Sequence, residues 1–178
     1  MTANLERSES AIIVPVDLPV AVRRLRDRMD PSAAVGVPGH VTLLYPFMPA
    51  EALDAAVHAE VRRIVGAHEP FTFVLASVGR WPDVVYLAPE PAAPFSRLIE
   101  ALATAFPDYP PYGGAHALAD IVPHVTIAQD PRPGYLEAAE RALPAMLPVR
   151  GVAREAWLIA HLAGARWETI WELALGSR

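Results

Sequence analysis

Two pairs of side chains stand out as able to do chemistry. His40 and Thr42 lie in PGHVTLLYPF (38–47), and His124 and Thr126 lie at the same spacing in PHVTIA (123–128). Packing needs neither residue type, because Val, Ile or Leu would fill an apolar strand at lower cost. Along a strand, side chains at i and i+2 project from one face. Each trio therefore presents an imidazole beside a hydroxyl, while Val41, Leu43, Val125 and Ile127 point the other way, into a core. Two imidazoles titrating near neutrality can divide acid–base work, one neutral as general base and one protonated as general acid. Two hydroxyls can donate to the non-bridging oxygens of a phosphate held in line between them. A cyclic phosphodiester is the natural substrate type for such a set. One histidine draws a proton from attacking water, and the other protonates the departing ribose oxygen. No metal or organic cofactor is required for that.

A single strand histidine beside a threonine is usually structural, its ring bonded to the backbone. Here the histidine, the intervening valine, the threonine and the following aliphatic residue all recur, each copy opening after a proline or a glycine. Coincidence is a poor explanation.

The elements that must carry these pairs follow from apolar spacing. Residues 11–16, AIIVPV, predict a short strand, and Asp17 is the expected N-cap of a helix. In that helix Leu18, Val22, Leu25 and Met29 share one stripe, with the arginines on the other side. Gly36, Pro38 and Gly39 break the chain before the first His-Val-Thr strand, and Pro46 and Pro49 end it. Leu53, Val57, Val61 and Ile64 predict a second helix stopped by Gly66. FTFVLASV (71–78) and VVYLAP (84–89) predict a hairpin across GRWPD. A third helix opens at Pro94, with Phe95, Leu98, Leu102 and Phe106 inward, and a fourth begins near Pro133 and is cut by Pro144. VAREAWLIAH and RWETIWELAL read as two closing strands, with Trp167, Trp171 and Leu173 on one face of the last. The order strand, helix, His-strand, helix, strand then occurs twice, with one extra strand. The hairpin and the paired closing strands favour antiparallel α+β over a doubly wound parallel sheet. No G-x-G-x-x-G or P-loop is present.

Composition narrows the classes. At 178 residues, 53 % hydrophobic and 20 % charged, the chain is expected to be one globular domain over 1–178, made of two similar lobes. Without cysteine there are no disulfides, thiolate nucleophiles or Cys-based zinc sites. All fifteen basic residues are arginine, which excludes Schiff-base lysine and adenylylated-lysine chemistry. A net charge of −5 argues against gripping long nucleic acid by its backbone. The start, MTANLERSES, lacks the basic and apolar parts of a signal peptide, so a cytoplasmic, membrane-free and monomeric protein is the expectation.

The paired HVTLLYPF and PHVTIA motifs resemble the two-histidine phosphoesterase superfamily, in particular its bacterial 2′-5′ RNA ligase-like branch. The resemblance implies a bilobed, pseudo-symmetric α+β fold with an antiparallel sheet and flanking helices in each lobe and a catalytic cleft between them. It places catalysis on His40 and His124, with His124 as base and His40 as acid, and phosphate binding on Thr42 and Thr126. It further implies opening of 2′,3′-cyclic phosphates to 2′-phosphomonoesters, or joining and cleaving of 2′-5′ linkages. Similar sequences often carry a basic residue after the second motif, whereas Gln129 and Asp130 stand here. Phosphate charge would then fall to a protonated histidine, a helix N-terminus, or an arginine such as Arg80 or Arg132.

Among the remaining candidates, Tyr112 and Tyr109 read either as stacking on a base at the cleft mouth or as part of a proline-stiffened surface loop, and Trp81 as a stacking residue or a packed cap of the hairpin turn. His58 and His68 read as solvated, His116 as a loop residue near the cleft, and His161, Trp157, Trp167 and Trp171 as structural. No metal-ligand spacing is present. The expected activity is thus metal-independent hydrolysis of a small cyclic phosphodiester, on a nucleotide or an RNA end. The alternatives are a 2′-5′ RNA ligase and a nucleotide-binding module without turnover.

Overall fold

The computed structural model describes residues 8–130, 132, 134–161 and 166–177. Most of the N-terminal stretch read above for a leader (1–7) lies outside them, as does Pro133, near the expected start of the fourth helix. Among the described residues no helix is long and apolar enough to cross a membrane.

Strand β1 (Glu9–Pro15) is apolar on both faces because both faces are covered. Ile12 and Val14 join the main core, while Ala11 and Ile13 pack with Val37 and Ile159 in a second cluster. The first helix, α1 (Val20–Met29), buries Val22, Leu25 and Met29 as their spacing dictates. It differs from expectation at two points. Asp17 is not its cap. The N-cap is Pro19, in extended conformation and with no side-chain cap bond. Proline disfavours helical backbone at the residue before it, so Leu18 cannot begin the helix. Leu18 instead packs over Gly39, where an added Cβ would lie 2.7 Å from it. Nor are all the arginines on the solvent side, because Arg26 is only 3 % exposed.

A short helix α2 (Pro31–Ala34) leads to β2 (His40–Leu44), which runs antiparallel to β1 with His40 opposite Pro15 and Thr42 opposite Ile13. The next helix, α3 (Ala55–Gly66), is capped by the Asp54 carboxylate, which accepts from the Val57 N–H at 2.8 Å. The expected hairpin forms between β3 (Phe71–Trp81) and β4 (Val84–Glu90). Helix α4 (Ala93–Ala105) has Pro94 in its first turn. There follow β5 (Val125–Gln129), α5 (Tyr135–Ala142), β6 (Val149–Ala153), β7 (Glu155–His161) and β8 (Trp167–Ala174).

VAREAWLIAH is thus two strands, not one. The chain leaves one sheet at Ala153 and enters the other at Glu155, with neither glycine nor proline at Arg154 to mark the change. The closing strand differs too. A bulge in the β7–β8 pairing places Leu158 opposite Trp171 but Ile159 opposite Thr169. An extra residue reverses the alternation of faces. Trp167 therefore joins the second cluster, while Trp171 packs against the main core and the His58 ring, at 4.8 Å between centroids. His58 and His68 are accordingly half-buried rather than solvated, and His68 Nδ1–H donates to the Ile64 carbonyl at 2.9 Å.

Two antiparallel four-stranded sheets result, in the orders β2-β1-β7-β8 and β5-β4-β3-β6. The arrangement is pseudo-symmetric, with each His-Val-Thr strand at the edge of its sheet beside the strand that precedes it in the chain. Those connecting helices exchange partners: α1 lies against β5, and α4 against β2. A single apolar core spans both sheets, from Ile12 and Val41 to Val125 and Ile127.

Candidate active site

Strand periodicity sets which side chains can meet. Val41 and Leu43 are buried with His40 and Thr42 turned from them, and Val125 and Ile127 are buried with Thr126 turned from them. His124 immediately precedes β5. The same local device fixes each ring. His40 Nδ1–H donates to the carbonyl of Pro38 and His124 Nδ1–H to that of Val122, both at 2.8 Å and both two residues upstream. That bond selects the tautomer and leaves Nε2 as the working nitrogen in each half. His40 Nε2 accepts from the Thr42 hydroxyl at 3.1 Å.

All four side chains line one cleft of about 740 Å³, shared by both sheets and by the 105–125 connection. Tyr112, Trp81 and Gln129 also line it, and the exposed His116 sits on its rim. Tyr112 adopts a left-handed backbone (φ 53°), and its N–H donates to the Tyr45 carbonyl at 2.6 Å, tying the loop to the end of β2. Burial raises the Tyr112 phenol above its usual range. Burial and the bond to Glu9 push Tyr45 up to about 12, so both remain neutral donors.

The two histidines differ in surroundings. Burial is the main cause that lowers His40 to about 4. The Pro38 carbonyl and Asp30 oppose that shift, and the charges of Arg26 and His124 reinforce it. His124 is also lowered by burial, against the pull of the Val122 carbonyl, and no charged group among the described residues adds to that shift. Its ring sits edge-to-face with Trp81 at 4.7 Å and 5.5 Å from Tyr86, which itself stacks on Trp81 at 4.1 Å. Gly79 makes this possible: it faces Tyr86 across the hairpin, and a Cβ there would lie 2.1 Å from the Tyr86 ring. Gly79→Ala is therefore expected to displace Tyr86 and cost about 1–3 kcal/mol, read as a lower urea midpoint at unchanged m-value.

Of the other sequence candidates, Tyr109 packs on Phe47 (5.5 Å) rather than at the cleft mouth. Arg80 does not reach the cleft. Strand alternation turns it towards α5, where Glu140 (2.9 Å) and Glu137 (3.6 Å) hold it. Arg132 is exposed and bonded to Asp130. Among the described residues no group of three or more His, Asp or Glu is placed to hold a metal ion.

One contributor escapes sequence reasoning. The buried Arg26 guanidinium pairs with Asp30 at 2.8 Å, and it donates to Ser32 Oγ, to the Val37 carbonyl at 2.9 Å and to the Thr126 carbonyl at 3.3 Å. One side chain thus ties the approach to β2 to the middle of β5, behind both histidines. Its signal was present, because position 26 falls four residues after Val22 and three before Met29, on the apolar stripe.

Solved structures share this fold. The crystal structure of TT0787 of Thermus thermophilus aligns with a TM-score of 0.62 at 20% identity, over 96% of this chain and 99% of that one. E. coli LigT complexed with 3′-AMP aligns with a TM-score of 0.57 at 19% identity, over 96% and 99%. No curated protein matches the chain. The family model described as the 2′-5′ RNA ligase superfamily matches residues 14–165, which run from the end of β1 through β7 and carry both histidine motifs, and the chain belongs to that superfamily.

Proposed function

We propose that the chain is a phosphoesterase that opens a 2′,3′-cyclic phosphate on a nucleotide or RNA end to a 2′-phosphomonoester. The observation that carries this is the convergence of two Nε2 atoms, each with a hydroxyl two residues on, in a single cleft. Water attacks phosphorus as His40 Nε2 takes its proton. The bond from phosphorus to the ribose 3′ oxygen breaks, and His124 Nε2–H protonates that oxygen. The Thr42 hydroxyl, which otherwise donates to His40, turns to a non-bridging oxygen, as does that of Thr126. These roles reverse the ones the resemblance implies. Burial is the main reason, and the charge of Arg26 adds to it: together they keep His40 neutral and so suited to be the base. The 3′-AMP held by E. coli LigT supports a nucleotide-sized ligand.

The test is a screen of 2′,3′-cyclic nucleotides and cyclic-phosphate-ended oligonucleotides with EDTA present. Product 2′-phosphate supports the reading, whereas ligands that bind without turnover leave a binding module. Joining of a cyclic-phosphate end to a 5′-hydroxyl acceptor reads out ligation. The pH profile of kcat/KM should be a bell set well to the acid side. It rises as His40 loses its proton near about 4, and it falls as His124 loses its own, below the ordinary 6.5. The limbs belong to the coupled pair. A flat profile across that range would remove the histidines as acid and base.

A further inference from the structure

Resting on the reading of the cleft as a cyclic-phosphate site, we infer that it selects a substrate bearing one negative charge and turns away ligands that carry further phosphates. The walls around the two histidine motifs are acidic. Asp83, at the β3–β4 turn, and Asp120, in the 118–120 turn, both line the cleft and are exposed, and no ion pair among the described residues engages either. Asp30 lies deeper, its charge met by Arg26.

At the end of β5 the wall is Gln129, a neutral amide with one acceptor and two donors. Among the described residues no arginine lines the cleft. Two arginines adjoin cleft-lining residues in sequence, Arg80 beside Trp81 and Arg132 three residues after Gln129, and both are neutralised by carboxylates, Arg80 by Glu137 and Glu140 and Arg132 by Asp130. A single phosphodiester charge at the centre is served by two threonine hydroxyls and a protonated histidine. A second phosphate that reaches the walls at Asp83 or Asp120 meets like charge, with no arginine among the described lining residues to offset it. The favoured ligand class is a nucleoside 2′,3′-cyclic phosphate with an unphosphorylated 5′ hydroxyl.

The experiment compares adenosine 2′,3′-cyclic phosphate with its 5′-phosphate and 5′-triphosphate forms on the wild-type chain, at low and high salt. The expected result is a kcat/KM about tenfold or more lower for the 5′-triphosphate form at low salt. The gap should narrow at high salt, and also in the Asp83→Asn/Asp120→Asn double variant, whose kcat on the singly charged substrate stays unchanged. Equal or faster turnover of the 5′-triphosphate form by the wild type overturns the inference, as does a gap that neither salt nor the double variant moves. If no cyclic phosphate is turned over, the enzymatic reading fails separately. Charge selection is then decided by equilibrium binding of the same three compounds, weaker binding of the triphosphate supporting it and equal or tighter binding overturning it.

Discussion

His124→Ala and His40→Ala are each expected to lower kcat/KM on a 2′,3′-cyclic nucleotide by about 10²- to 10⁴-fold, the usual worth of a positioned acid or base. Both Nε2 atoms belong to the same transfer, one removing a proton from water as the other supplies one to the leaving oxygen. Their losses should therefore not add, and the double variant should fall little below the worse single one. The folds should survive, because each ring donates to one carbonyl two residues away, which cleft water can satisfy, and the remaining contacts, of His40 with Thr42 and of His124 with Trp81 and Tyr86, are made at the cleft. Steady-state rates together with unfolding midpoints for the three variants check this. Rates that persist in both single variants would exclude proton transfer by imidazole. Full additivity would mean that the two act in separate steps.

Arg26→Ala should be the most damaging single change for stability, at about 3–5 kcal/mol, because it strands the Asp30 carboxylate in the interior without its partner. It also takes a donor from the carbonyls of Val37, just before the first histidine motif, and of Thr126, within the second. Replacing the pair together, as Arg26→Met/Asp30→Leu, should recover much of that loss, since apolar residues of similar size need no partner. Urea unfolding measures both variants. An Arg26→Ala protein as stable as wild type would show that the buried pair contributes nothing net. A recovered double variant with reduced kcat would mark Arg26 as a positioning residue for the histidine strands.

That the two His-x-Thr pairs face one way was legible because they use the simplest rule of strand geometry, a period of two, and because the pattern occurs twice; the structure brings all four side chains to one cleft. The β3–β4 hairpin and the apolar stripes of α1, α3 and α4 were legible for the same kind of reason. Arg26 was missed although its position lies on the apolar stripe of α1, since an arginine in a run of arginines is assigned to solvent unless its partner Asp30 is seen from the folded side. The break at Arg154 carries no turn residue, so nothing local says that the chain changes sheets there. The bulge opposite Leu158 is likewise silent in sequence, yet it sends Trp167 and Trp171 to opposite faces. Arg80 was misjudged for a third reason: adjacent strand residues diverge, so the neighbour that reaches the cleft is Trp81.

The two sheets draw on the chain in unlike ways. Strands β3 to β6 come from one continuous stretch, residues 71–153, so that sheet can assemble as soon as that stretch has emerged from the ribosome. The other sheet cannot. Its β1 is a central strand whose second edge waits for β7, with Ile12 paired to Leu158, and β8 follows later still. During synthesis the half that bears His124 should thus be ready first, while the half that bears His40 remains an open-edged strand pair. A nascent chain arrested before Glu155 should hold a folded β3–β6 sheet and no working site, which ties the onset of activity to the emergence of β7 and β8.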